Sequence, residues 1–292
     1  MGKRIGALEA GGTKMVLAVG TEGGTILERE SLPTTAPEQV VPQMAAWFAE
    51  REVDAVGIGA FGPTAVDPAS PQYGHVLDTP KPGWRGYDFL GTMRAGCDVP
   101  MGYDTDVNVA CLGEATFGCA RGLDTVVYLT IGTGVGAGVM VGGRLLHGML
   151  HPEAGHILLA PLPNDPGKSV CPFHPNCLEG LAAGPSIEAR WGAKGVDLAD
   201  RPEVWELEAE YLGQALCDYI LCYSPQKIIL GGGVMKQEQL FPLVRKATVR
   251  YLAGYIKTPE LEDLETYIVP NSLHENQGIL GCIELGRRAL EK

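Results

Sequence analysis

No run of about eighteen consecutive apolar residues occurs in this 292-residue chain, so no membrane-spanning helix is expected. The N-terminus, MGKRIGALEAGGTK, carries charge but lacks a long apolar core, and no secretory leader is expected. Positive charge is scarce: 23 Lys and Arg against 35 Asp and Glu leave a formal charge of −12. That balance disfavours nonspecific nucleic-acid binding, which depends on cations that neutralise phosphates. It leaves phosphorylated small molecules open, because local backbone donors can outweigh the global field. Both one-piece phosphate motifs are missing as well. There is no G-x-x-x-x-G-K-[ST], and the glycines at 132–138 run G-x-G-x-G-x-G into strand rather than G-x-G-x-x-G into helix. A P-loop is excluded and a Rossmann dinucleotide site is disfavoured.

What is present is the composition of a folded protein, 45% hydrophobic and 20% charged, too long for one small core and predicted to form two domains. Eight cysteines without a leader predict reduced thiols in the cytoplasm. Cys97, Cys111, Cys119, Cys217, Cys222 and Cys282 lie among apolar neighbours and read as small buried hydrophobes.

The pattern predicts strands at 4–9, 15–20 and 25–32, a helix at 38–51 and a strand in DAVGIGA. A strand at 99–103 and a helix at 106–119 follow. Residues 124–146 repeat the opening: strand, Gly/Thr turn, strand, Gly-Gly turn, strand. Later come helices at 203–223 and 237–254, the strand of KIILGGG between them, and a final helix at 277–290. The chain thus reads as duplicated α/β halves with a cleft between them. Domains are expected at 1–118 and 119–276, with the helix at 277–292 packing back on the first. Glycine turns after strands let backbone N–H groups approach phosphate. One such turn per half suggests a phosphate chain held from both sides.

Cys171, His174 and Cys177 form a Cys-x2-His-x2-Cys spacing, and Pro172 and Pro175 rule out an ordinary helix there. With a fourth ligand, His156 or His151, they make a Cys₂His₂ set suited to tetrahedral zinc. Four protein ligands leave no open position, so the metal would be structural. Asp104 and Asp106 in YDTDVN fall at a strand-to-helix junction. A carboxylate there suits a general base, and equally a helix cap.

LEAGGTK (8–14), LTIGTGVGAG (129–138) and IILGGGV (228–234) resemble the two phosphate loops and the adenosine loop of actin/hexokinase/Hsp70-type ATPases. The branch they resemble is the ROK family of sugar kinases and repressors, over nearly the whole chain. GAFGP (59–63), YGHVLDTPKPGWRGYDF (73–89) and YDTDVNVACLGE (103–114) are similar to its bacterial fructokinases. The resemblance implies duplicated ribonuclease H-like α/β domains, an interdomain cleft and a zinc-binding loop. It implies transfer of the ATP γ-phosphoryl group to the 6-hydroxyl of fructose, with mannose, glucose or an N-acetylhexosamine as alternative acceptors. A sugar-sensing repressor and a zinc-stabilised binding protein are more distant readings.

By motif position, Asp106 matches the family's base and Asn108 a later asparagine, while Thr105 stands where the family has asparagine. HPEAGH selects His156 over His151 as the fourth zinc ligand. Gly62, Thr105, Asp106, Glu153, His156 and Glu179 are expected at the sugar. Gly11, Gly12, Thr13, Thr133 and Gly134 are expected at the phosphates, with Lys14 as a neutralising charge or simply an exposed lysine. Gly184, Pro185, Gly232 and Gly233 are expected at the nucleoside. Glu9 would act indirectly on the Mg²⁺ that accompanies ATP. A homodimer is expected from the same resemblance, with no nucleic-acid or membrane partner.

Overall fold

Short apolar alternations bounded by glycine turns build two sheets of the same design. The computed structural model describes residues 2–291. Its elements run β1 (Arg4–Ala10), β2 (Lys14–Thr21), β3 (Ile26–Pro33), α1 (Pro37–Ala49), β4 (Ala55–Ala60), α2 (Phe89–Gly96), β5 (Met101–Thr105) and α3 (Asp106–Thr116). Next come β6 (Val126–Ile131), β7 (Val135–Val141), β8 (Arg144–Leu145), α4 (Leu178–Ala182), α5 (Gly184–Trp191) and α6 (Pro202–Tyr223). The chain ends with β9 (Lys227–Gly231), α7 (Leu240–Leu252), α8 (Pro259–Glu262), α9 (Leu264–Tyr267), β10 (Ile268–Pro270) and α10 (Gln277–Ala289). No helix of the described residues is long and apolar enough to cross a membrane.

Two compact units result. Of the described residues, the first contains those through Gly122, then Leu145–Pro152, then those from Ser272 to 291. Its sheet has the order β3-β2-β1-β4-β5, with β1 antiparallel to β2 (Ala7 opposite Ala18) and parallel to β4 (Leu8 opposite Ile58). One face packs on α1 and α2 through Val41, Met44, Phe48, Phe89 and Met93, with Trp84 from the turn before α2. On the other face α10 lays Ile279, Cys282 and Ile283 against Ile5, Ala7, Ala18 and Val109. These positions recur every three to four residues, so one stripe of the helix is apolar. Full burial of an isoleucine such as Ile279 or Ile283 stabilises by roughly 1.5–3 kcal/mol. Close contact needs glycine here: a Cβ at Gly57 would collide with the Cys282 carbonyl, and one at Gly281 with that of Val109.

The second unit contains Leu123–Arg144 and Glu153–Asn271. Its sheet has the order β10-β9-β6-β7-β8, the same plan with smaller edges. β6 is antiparallel to β7 (Leu129 opposite Ala137) and parallel to β9 (Leu129 opposite Leu230). The third strand expected in 124–146 shrinks to the two residues of β8, because the chain leaves at once for the first unit. That departure also corrects the expected boundary. Residues 145–152 pack with the first unit, where His147 Nε2 lies 2.8 Å from Asp104 Oδ2 and the Thr64 N–H points at His151 Nε2, 3.4 Å away. Pro202 opens α6 and Ser224, in the left-handed region at φ 49°, closes it. Cys222 is exposed on that helix and Cys119 half-buried, against the expectation of burial; Cys97, Cys111, Cys217 and Cys282 are buried.

Candidate functional site

Residues of the first unit gather where β1, β4 and β5 end. Thr105 is the N-cap of α3: its hydroxyl oxygen accepts from the Asn108 N–H at 3.1 Å. Asp106 is therefore not the cap but the first helical residue, half-buried, its Oδ1 accepting from the Val107 N–H at 2.9 Å. A negative charge there is favoured by the helix N-terminus. The turn is fixed from below by Asp104, 2% exposed, which the Thr105 N–H and Asn108 Nδ2 approach at 2.8 and 2.7 Å and His147 Nε2 at 2.8 Å. The Asn108 Oδ1 is buried without a partner among the described residues. Thr105 is itself buried, and its hydroxyl accepts the cap hydrogen bond at the position where the sugar contact was expected. Gly62 is exposed just beyond β4.

Glu9, next to last in β1, lies against the first turn of α10; a Cβ at Gly278 would stand 2.6 Å from its Cδ. Burial pushes its carboxyl above the usual range, with Arg29 and Lys14 pulling the other way. The turn Gly11–Thr13 is tied to the exit of β3, since Thr34 Oγ1 donates to Gly11 O at 2.9 Å and the Thr34 N–H to Thr13 O at 3.0 Å. Lys14 is exposed.

In the second unit, His156, Cys171, His174 and Cys177 bring one ligand atom each within 4.8 Å of the others. Sulfur–nitrogen separations are 3.6 Å for Cys177 Sγ to His156 Nδ1, 3.7 Å for Cys171 Sγ to His174 Nδ1 and 4.0 Å for Cys171 Sγ to His156 Nδ1. A tetrahedron with Zn–S near 2.3 Å and Zn–N near 2.0 Å has sulfur–nitrogen edges of about 3.6 Å. The residues fit a metal. His151 is apart from this group, in the other unit and hydrogen-bonded to Thr64. Burial pushes the Cys177 thiol up to about 11. Releasing that proton near neutral pH needs a cation at the sulfur.

The ring of His156 turns Nδ1 toward the cysteines and Nε2 toward Glu179, whose Oε1 is 3.8 Å away. Glu179 lies in the first turn of α4, and its Oε2 accepts from the Val135 N–H at 3.0 Å. Gly134 packs against the same carboxylate, where a Cβ would be 2.6 Å from Oε2. Glu153 is exposed and precedes the short 3₁₀ turn Ala154–His156.

Thr133, Gly184, Pro185 and Gly233 meet around one cavity of about 500 Å³ within the second unit. The Gly184 N–H donates to Gly132 O at 2.7 Å, which joins the second glycine turn to the start of α5. Gly134 and Gly232 do not line it. Gly232, at φ 90°, turns the chain against the Ile131 backbone, where a Cβ would collide. Sequence reasoning missed Glu188, Lys194, Trp205, Lys236 and Gln237 on the same walls. They follow the glycine motifs at no fixed spacing. It also missed His147, 43 positions from its partner Asp104.

The ROK family model matches residues 5–289. Over 287 residues the chain is 46% identical to the fructokinase of Pediococcus pentosaceus, covering 98% of this chain and 99% of that protein. It is 43% identical over 297 residues to the fructokinase of Streptococcus mutans serotype c, covering 100% and 98%. The solved ROK hexokinase from Thermus thermophilus superposes with a TM-score of 0.80 at 28% identity, covering 99% of each chain.

Proposed function

The chain belongs to the ROK family, and from that premise we propose that it is an ATP-dependent fructokinase. The observation that carries the proposal is likeness to fructokinases over the full length, together with a half-buried carboxylate, Asp106, held at a helix start. We assign transfer of the γ-phosphoryl group to the 6-hydroxyl of fructose. Phosphoryl transfer asks mainly for alignment, charge neutralisation and a place for the hydroxyl proton. Asp106 takes that proton. Glu153, His156, Glu179 and Gly62 position the sugar, and Asp104 with His147 keeps the Asp106 turn rigid.

The Gly11–Thr13 turn, closed by the Gly11 N–H donating to Lys14 O at 3.0 Å, offers phosphates the N–H groups of Gly12 and Thr13, as Thr133 does on the other side, and Gly184, Pro185 and Gly233 line the nucleoside cavity. Mg²⁺ bound with ATP would supply charge neutralisation, and Glu9 would act on it through water. His156, Cys171, His174 and Cys177 hold a structural zinc, which fixes the segment that carries His156 and leads into Glu179. The same reading extends to a homodimer, which light scattering tests.

ADP release from ATP and Mg²⁺, with fructose, mannose, glucose and N-acetylglucosamine offered separately, tests the proposal. Turnover with fructose far above the other three is the expected result. A preference for another hexose overturns the substrate, and no turnover with any of them overturns the kinase.

A further inference from the structure

The first glycine turn receives a cation from far along the chain. Lys81 Nζ donates to Gly12 O, across 69 positions. The same Nζ lies 5.0 Å from the centroid of the Phe61 ring and 3.4 Å from where a Gly12 Cβ would stand. Glycine at position 12 leaves room for this contact.

The backbone that carries Lys81 is anchored. The Trp84 N–H donates to Lys81 O at 3.2 Å, and the Trp84 indole N–H donates to Thr35 O at 3.0 Å. Trp84 is 1% exposed and meets the rings of Phe61, Tyr87 and Phe89 edge-on. Thr34, the neighbour of Thr35, ties down Gly11 and Thr13. Turn and lysine are therefore fastened to one short segment, and their separation is fixed by the fold rather than by the flexible side chain alone.

The Gly12 carbonyl does not depend on this lysine for a hydrogen-bond partner. The Gly12 carbonyl belongs to an exposed turn, where water can serve it. Burial lowers the pKa of Lys81, so the ammonium has given up part of its hydration. A partly desolvated cation acts more strongly on a nearby charge than a solvated one. Lys14, the lysine next to the turn in sequence, instead acts electrostatically on Glu9.

We propose that Lys81 neutralises the terminal phosphoryl group of ATP at the Gly11–Thr13 turn, exchanging the Gly12 carbonyl for a γ-phosphoryl oxygen. The inference deepens the kinase reading and rests on it. During transfer the bond from the β–γ bridging oxygen to the γ-phosphorus breaks as the bond from the sugar oxygen forms. The bridging oxygen leaves with the electron pair on ADP, and the sugar proton passes to Asp106. Lys81 keeps its protons and supplies charge.

The test uses Lys81→Met and Lys81→Arg in the whole protein, with calorimetric binding of ADP and of a nonhydrolysable ATP analogue, and kcat with fructose. In Lys81→Met the analogue is expected to bind roughly tenfold more weakly and kcat to fall about 10²-fold, while ADP affinity and thermal midpoint stay unchanged. Lys81→Arg should recover most of the analogue affinity. Equal weakening of analogue and ADP, or analogue affinity and kcat within threefold of the parent, would overturn the assignment. The binding comparison needs no sugar. A parent that turns over no sugar would remove the kinase reading, while the contrast between analogue and ADP would still decide whether Lys81 meets a terminal phosphate.

Discussion

In the first unit Asp106 heads an eleven-residue helix whose cap, preceding strand and supporting carboxylate are hydrogen-bonded to one another. In the second, three of the four residues of the Cys/His cluster lie in 157–177 or close it, a segment with no helix or strand beyond one bridge between Leu158 and Cys177. The two sheets share a plan, yet side chains are held by different means. A strand-to-helix junction positions a residue through its own backbone hydrogen bonds. An irregular segment rich in proline has few of these and needs a cross-link. The metal loop should therefore be far more sensitive to loss of its ligands than the Asp106 turn is to loss of its cap.

The largest effect expected from this contrast is loss of the metal. Prolonged chelation, or Cys177→Ser, should abolish activity and expose 157–177 to proteolysis, since metal binding and folding of such loops are linked. A chelated protein, shown metal-free by elemental analysis, that kept its protease resistance would break the comparison. Next comes the polar tie beneath the loop. Arg190 and Asp165 are 1% and 5% exposed and paired at 2.7 Å, with the Tyr211 hydroxyl donating to Asp165 at 2.6 Å. Arg190→Met leaves that carboxylate buried without its charge partner and should cost about 3–5 kcal/mol in denaturant unfolding.

The same pair predicts an acid response. Burial pushes the Asp165 carboxyl up, but Arg190, Tyr211 and the Gly167 N–H together hold it below its ordinary value of 3.8. A lowered pKa contributes stability that is fully present above 3.8 and lost as pH falls through the lower folded value. Unfolding curves of the parent should therefore lose stability below about pH 4, and Arg190→Met should flatten that dependence. The smallest effect is expected in the first unit. Thr105→Ala removes one cap and should cost about 1 kcal/mol, with metal content unchanged. A cost as large as that of Arg190→Met would mean that the Asp106 turn is no better supported than the loop.

Much of this arrangement was readable in the sequence because it follows local rules. The strand, glycine turn and strand around Gly11 and again around Thr133 gave the duplication, and the spacing of Cys171, His174 and Cys177 pointed to the Cys/His cluster that could hold a metal. The same reasoning could not choose between cap and base for Asp106. Only the structure shows that Thr105 takes the cap. Pairings between distant positions left no periodic trace. His147 with Asp104, Arg190 with Asp165 and Lys81 with Gly12 depend on how the chain returns to itself. The return of 145–152 to the first unit was hidden for the same reason: His147 and His151 meet partners 43 and 87 positions away.

Asp106→Asn bears most directly on the account, measured as kcat with fructose beside zinc content and thermal midpoint. The account predicts a fall of about 10²–10⁴-fold in kcat with metal content and midpoint unchanged, because the amide preserves the turn but cannot take the proton. A variant with kcat within threefold of the parent would contradict it.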